Sequence, residues 1–156
     1  TVQLMHETVC KEGRGQSVFG DLGPEYQHHT NQRLFGGREN IMPVFVTSDG
    51  HEREVLEVPE ELKGIDLRGR ELGELDGEEY SEALRSEFDG VRNALGDEQK
   101  PFAVLSLDSV EHGDVARLMV FLQYLAVYSA QLRCVDPYTQ PDVERSKEQV
   151  FERRFD

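Results

Sequence analysis

The sequence predicts an α/β layered fold, and three observations carry that expectation. Segments with apolar residues three and four apart alternate with short apolar runs, and clusters of turn residues separate the two kinds. The run Pro101-Phe102-Ala103-Val104-Leu105-Ser106-Leu107 is apolar almost throughout, the pattern of a strand covered by helices on both faces in a parallel or mixed sheet. Finally, 156 residues that are 37% hydrophobic and 31% charged suffice for one compact domain with a core, and are too few for two full-sized ones. A single domain over 1–156 is therefore expected.

Bulk properties narrow the function classes. The formal net charge of −14, with 31 acidic against 17 basic residues, repels phosphate backbones and anionic membranes, so no nucleic-acid or membrane partner is expected. An anionic small molecule would need a local basic pocket. The acid excess, with Lys11, Lys63, Lys100 and Lys147 as the only lysines, resembles proteins of salt-rich cytoplasms. Cys10 and Cys134 form neither a disulfide framework nor a zinc-ligand spacing, and no charged-then-apolar leader precedes them, so a cytoplasmic protein is expected. Because it opens on Thr1 rather than Met, the chain is also expected to be part of a longer one.

Taken in order, Thr1 to Lys11 places Val2, Met5 and Val9 on one helical face, with Glu7 near the end as an ordinary solvated carboxylate. Gly13-Arg14-Gly15 with Gly20 has the wrong spacing for a dinucleotide loop and follows no clear strand. Gly20 to Asn40 is rich in Gly, Pro and Asn and is expected to be a long loop, a kind of segment that is often functional. It contains Tyr26-Gln27-His28-His29-Thr30-Asn31-Gln32, whose adjacent histidines are a poor metal signal and equally suit backbone hydrogen bonding. Met42 to Thr47 and Glu54 to Val58 are expected strands about an Asp49-Gly50 turn. Pro59 to Gly77 is an acidic surface connection.

Glu78 to Leu95 is expected to be an amphipathic helix packed on one face, with Tyr80, Leu84, Phe88 or Glu87, Val91 and Leu95 at helical spacing. After the apolar strand, Asp114 is the expected cap of a helix from Val115 to about Cys134. The run Leu118 to Tyr128 is apolar nearly all round, but it is short for a membrane span and is broken by Gln123, so a central buried helix is expected. The chain closes with Asp136-Pro137-Tyr138-Thr139-Gln140-Pro141-Asp142-Val143-Glu144-Arg145-Ser146-Lys147. Pro141 suits a first helical position and Asp142 and Glu144 suit the positive end of the helix dipole, so a helix should start there. Its apolar stripe, Val143, Val150 and Phe151, includes Lys147, which either snorkels to water or sits in a polar pocket.

This closing stretch resembles the signature of glucose-6-phosphate isomerases, N-P-F-D-Q-P-x-V-E-x-x-K, through Pro137, Gln140, Pro141, Val143, Glu144 and Lys147. Two earlier stretches resemble the same family. Glu7, Lys11 and Gly13 match its E-S-x-G-K-x-G stretch, with Cys10 in place of a glycine; His28, Gln32, Gly36 and Gly37 match its H-S-x-G-Q motif and glycine pair, with His29 and Asn31 replacing Ser and Gly. The three motifs stand in family order and at similar spacing over almost the whole chain.

The resemblance implies an αβα sandwich of the sugar-isomerase (SIS) type, the C-terminal half of a two-domain enzyme. It divides the chain into a catalytic loop region 1–40, an α/β core 41–135, and a signature loop with C-terminal helix 136–156. It further implies interconversion of glucose 6-phosphate and fructose 6-phosphate through a cis-enediol, with no cofactor and no metal. Glu7 would be the base at C1 and C2, His28 and Lys147 the ring-opening pair, and Gln32 and Lys11 substrate-binding residues. His28 would come from the neighbouring subunit of a homodimer. The family's Ser/Thr-rich phosphate loop has no counterpart in this sequence, so the piece alone should be a poor catalyst. A non-catalytic sugar-phosphate-binding regulatory module of the same fold, or a dimerisation domain, are the alternatives.

Overall fold

The computed structural model describes residues 1–49 and 54–155 and is α/β, as the alternation of patterns predicts. The chain forms two compact units, Asp21–Val110 and a discontinuous one made of Thr1–Gly20 and Glu111–Asp156.

The unit Asp21–Val110 is built on two parallel strands, β1 (Val44–Ser48) and β4 (Ala103–Leu107), in register from Val44 opposite Ala103 to Ser48 opposite Leu107. Parallel neighbours need a crossover, and helix α3 (Tyr80–Asp97) lies within it. Val91 and Leu95 of α3 are buried, and Phe88 meets Phe45 of β1 edge to face at 5.3 Å between centroids. Tyr80 and Leu84, placed inward by the helical spacing, are exposed. Cover on both faces of β4 is not found among the described residues: Val44 and Val46 are exposed on one face of the strand pair, and Val104, on the face it shares with Phe45, is exposed as well.

Three further expectations in this unit are corrected. Glu54 to Val58 makes one antiparallel bridge, Val55 with Glu79, rather than a strand, because the backbone that pairs with it among the described residues is the short stretch Gly77 to Tyr80. Gly50 of the expected turn lies outside the described residues. The segment 20–40 is not all loop: Gln27–Gly36 is helix α2, which buries no residue and so lacks the apolar stripe by which helices are recognised.

The acidic connection 59–77 also has structure of its own. Two 3₁₀ turns, Glu60–Leu62 and Leu72–Leu75, flank the hairpin β2 (Asp66–Leu67) and β3 (Arg70–Glu71). Lys63 ties it together, with its ammonium 2.9 Å from Glu60 and 2.9 Å from Asp76. Asp76 also accepts the Val58 N–H at 2.9 Å.

The second unit packs helix α1 (Val2–Val9) on α4 (His112–Leu132), and helix α5 (Pro141–Phe155) starts at Pro141 as the proline predicts. The N-cap of α4 is Glu111, not Asp114, which lies in the first turn and pairs with Arg117 at 2.6 Å. Burial of α4 is confined to Ala126 and Ala130, with Met119, Phe121, Tyr124 and Tyr128 among its exposed residues. The expectation of a central buried helix is therefore not met among the described residues, where α1 is the helix packed on α4 within its unit. At 21 residues α4 is long and apolar enough to cross a membrane by length and composition.

Hydrogen bonds from the Lys63 ammonium and the Val58 N–H hold the Asp76 carboxyl below its ordinary value of 3.8, and Lys63 is correspondingly raised by Glu60 and Asp76. A lowered acid stabilises the fold above its unfolded pKa and loses that contribution as pH falls through the folded value; a raised lysine contributes below its unfolded pKa and loses it in strong base. Asp76→Asn should therefore lower the thermal midpoint at neutral pH, and the gap from wild type should close below the ordinary 3.8 of the carboxyl. Paired melting curves across pH check this, and a gap that persists in acid would contradict it.

Candidate active site

The site is built from α1 upward. Met5 and Val9, four residues apart, lie on the face of α1 that meets Ala126 and Ala130, also four apart, with Val135 completing the buried cluster. Alanine leaves no side chain beyond Cβ, so the two helix backbones can approach closely. The flank of α1 then carries Gln3 and Glu7, one turn apart. Gln3 Nε2 donates to Glu7 Oε1 at 2.8 Å.

The second oxygen of Glu7 is taken by the signature loop: Gln140 Nε2 donates to Glu7 Oε2 at 3.0 Å, across 133 positions of sequence. Further polar links join the same two stretches. Lys11, only 5% exposed, donates its ammonium to the Asp136 carbonyl, and Arg14 donates to the Arg133 carbonyl. Arg133 in turn reaches Gln16 Oε1 at 2.7 Å. Inside the loop, the Tyr138 N–H donates to Asp136 Oδ1 at 2.9 Å and fixes the turn that presents Gln140. Gly15, at φ +107°, passes so near Cys10 that an added Cβ would stand 2.8 Å from the Cys10 Cα, so only glycine lets the chain turn back beneath α1.

Lys147 follows Gln140 on the second turn of α5. It is not in a pocket: its side chain is 64% exposed and its ammonium lies 2.7 Å from Glu144. Val143, Val150 and Phe151, the apolar residues of its stripe, are exposed as well.

The histidine motif lies on α2, in the other unit. His28 and Gln32 stand four apart on one exposed face, and the Gln32 amide lies over Gly36, where an added Cβ would come within 2.7 Å of Nε2. Gly37 closes the helix so tightly that its Cβ would stand 2.5 Å from the Arg33 carbonyl oxygen. His28 and His29 are both exposed, but His29 is engaged locally, edge-on to Tyr26 at 4.6 Å and 3.3 Å from Thr30 Oγ1.

The structure thus joins the first and third motifs directly and places the second on a separate helix. Chemically, a carboxylate with each oxygen accepting one amide N–H has a fixed orientation, as a proton-transferring base requires. The sequence pattern alone missed Gln3, whose signal was its place one turn before Glu7, and gave Gln140 no role beyond a motif match. Replacing Lys11 by Met should strip the Asp136 carbonyl of its donor and cost about 1–3 kcal/mol of unfolding free energy. Urea titration of the two proteins checks this, and equal midpoints would contradict it.

Comparison with known proteins agrees with the motifs. No protein-family model matches the chain. Curated relatives do: a glucose-6-phosphate isomerase of Rubrobacter xylanophilus is 31% identical over 155 residues, covering 97% of this chain and 34% of that protein. A probable glucose-6-phosphate isomerase of Natronomonas pharaonis is 29% identical over 145 residues, 93% of this chain and 32% of that protein. The isomerase of Lactiplantibacillus plantarum is 27% identical over 149 residues, 96% of this chain and 32% of its own length. The chain spans about a third of the curated relatives it matches. Its likeness to the glucose-6-phosphate isomerase family therefore extends over nearly every residue, and fits a piece of such an enzyme.

Proposed function

We propose that the chain is the acid–base part of a glucose-6-phosphate isomerase, folded as a portion of a SIS-type αβα sandwich. The observation that carries this reading is the Gln140–Glu7 hydrogen bond, which brings the family's first and last motifs to one place. In the open-chain aldose, Glu7 takes the C2 proton while the C1 carbonyl oxygen takes up a proton from solvent, giving a cis-enediol; Glu7 then returns its proton to C1 as the C2 hydroxyl gives its proton to solvent, which leaves the carbonyl at C2. One carboxylate serves both transfers because C1 and C2 are adjacent, and Gln3 and Gln140 keep it aimed between them.

Ring opening precedes that step. Lys147, steadied by Glu144, donates toward the ring oxygen while His28 accepts the C1 hydroxyl proton, imidazole being the side chain that titrates nearest neutral pH. His28 belongs to the neighbouring subunit of a homodimer in this reading, and Gln32 orients the sugar beside it. Lys11 acts from beneath, through its hold on Asp136, more than by meeting substrate. The phosphate group is held by residues outside this chain. The open apolar surface of α4 and of the β1–β4 sheet suits a piece that is covered by more protein in the whole enzyme.

In the complete gene product, Glu7→Gln should lower isomerase turnover at least about 100-fold while sugar-phosphate binding is retained. Unchanged turnover would remove Glu7 from the mechanism. Binding without turnover in the wild type would instead favour the non-catalytic sugar-phosphate module. The 156-residue chain assayed alone should show little turnover.

A further inference from the structure

Helix α2 is short, polar and free of buried residues, yet it carries His28 and Gln32. Ten residues make a marginal helix in water, so something outside it must hold it in place. Its last turn is met from a distant part of the same unit by Lys100, which enters just before β4. The Lys100 ammonium donates to the Leu34 carbonyl at 2.9 Å and the Phe35 carbonyl at 3.0 Å, and lies 2.9 Å from Glu98. An ammonium has three N–H donors, and these three acceptors use all of them. The side chain is 15% exposed, and its nitrogen sits 5.6 Å from the centroid of the Phe35 ring, so water competes poorly for it. A cation at the carboxyl end of a helix also complements the negative pole there and satisfies carbonyls that have no helical partner.

We infer that Lys100 is a positioning residue for His28: it clamps the carboxyl end of α2 to the base of β4 and so fixes the helix that presents the imidazole. Leu34 and Phe35 follow His28 by six and seven residues, about 10 Å along the axis, a distance over which a hydrogen-bonded helix transmits tilt with little loss. Arginine at this position has donors for both carbonyls and keeps the charge; methionine fills similar volume and has none. The inference rests on the isomerase reading, in which His28 opens the sugar ring.

The test uses the complete gene product as wild type, Lys100→Met and Lys100→Arg. Two quantities are read: amide hydrogen exchange across 27–36, and the enzyme-catalysed exchange between the two anomers of glucose 6-phosphate by NMR, which reports ring opening without isomerisation. Lys100→Met should speed amide exchange in the last turn of α2 and slow anomer exchange by about 10- to 100-fold, with KM little changed. Lys100→Arg should restore both. Unaltered amide exchange in Lys100→Met would remove the clamp. Faster amide exchange with wild-type anomer exchange would show that the clamp does not position His28. A wild type that exchanges no anomers would overturn the isomerase reading, and this proposal with it.

Discussion

The joining of Glu7 to the signature loop depends on the packing of α1 against α4. Two pairs of residues spaced one turn apart, Met5 with Val9 and Ala126 with Ala130, bring the first helix onto the second half of the long one, and Val135 seals the end. The small side chains set the closeness of approach, and the closeness sets what the flank of α1 can reach. Without it, Glu7 would be a solvated carboxylate on a short helix. With it, Glu7 meets Gln140, Lys11 meets Asp136, and stretches more than 120 residues apart become one surface. The apolar contact supplies the free energy, on the order of 1.5–3 kcal/mol for each large side chain buried, and the polar contacts supply the register.

The same packing explains what is left open. A helix that is apolar on nearly every side needs neighbours all round, and among the described residues of its unit α1 packs on one side of α4. The β1–β4 pair is similar: a parallel sheet normally lies between two helical layers, and here valines on its outer face meet solvent. Both observations agree with a chain that spans a third of the proteins it resembles. The large exposed apolar residues are a pattern written for a larger core than this piece contains.

Much of this was legible in the residues. Periodicity found α1, α3 and α4, the apolar run found β4, and Pro141 marked the start of α5, because each of those signals is local. Burial was less legible, since the period of α4 says that it is apolar and nothing about what covers it. Helix α2 was hidden by its composition: glycine, proline and asparagine at its edges and an interior of polar residues gave loop chemistry, while its hold comes from Lys100, more than 60 residues away. Of the site, Glu7 was visible only through resemblance. Its contact with Gln140 required coordinates, because a hydrogen bond across 133 positions leaves no spacing to read.

The most direct test of the α1 placement is a nuclear Overhauser measurement in the isotopically labelled chain, between the side-chain amide protons of Gln140 and the Cγ protons of Glu7. A cross-peak between them is expected, together with cross-peaks from the Val9 methyls to the Ala126 and Ala130 methyls. A Gln140 amide that shows contacts only within its own loop, while the Val9 methyls show none to α4, would contradict it.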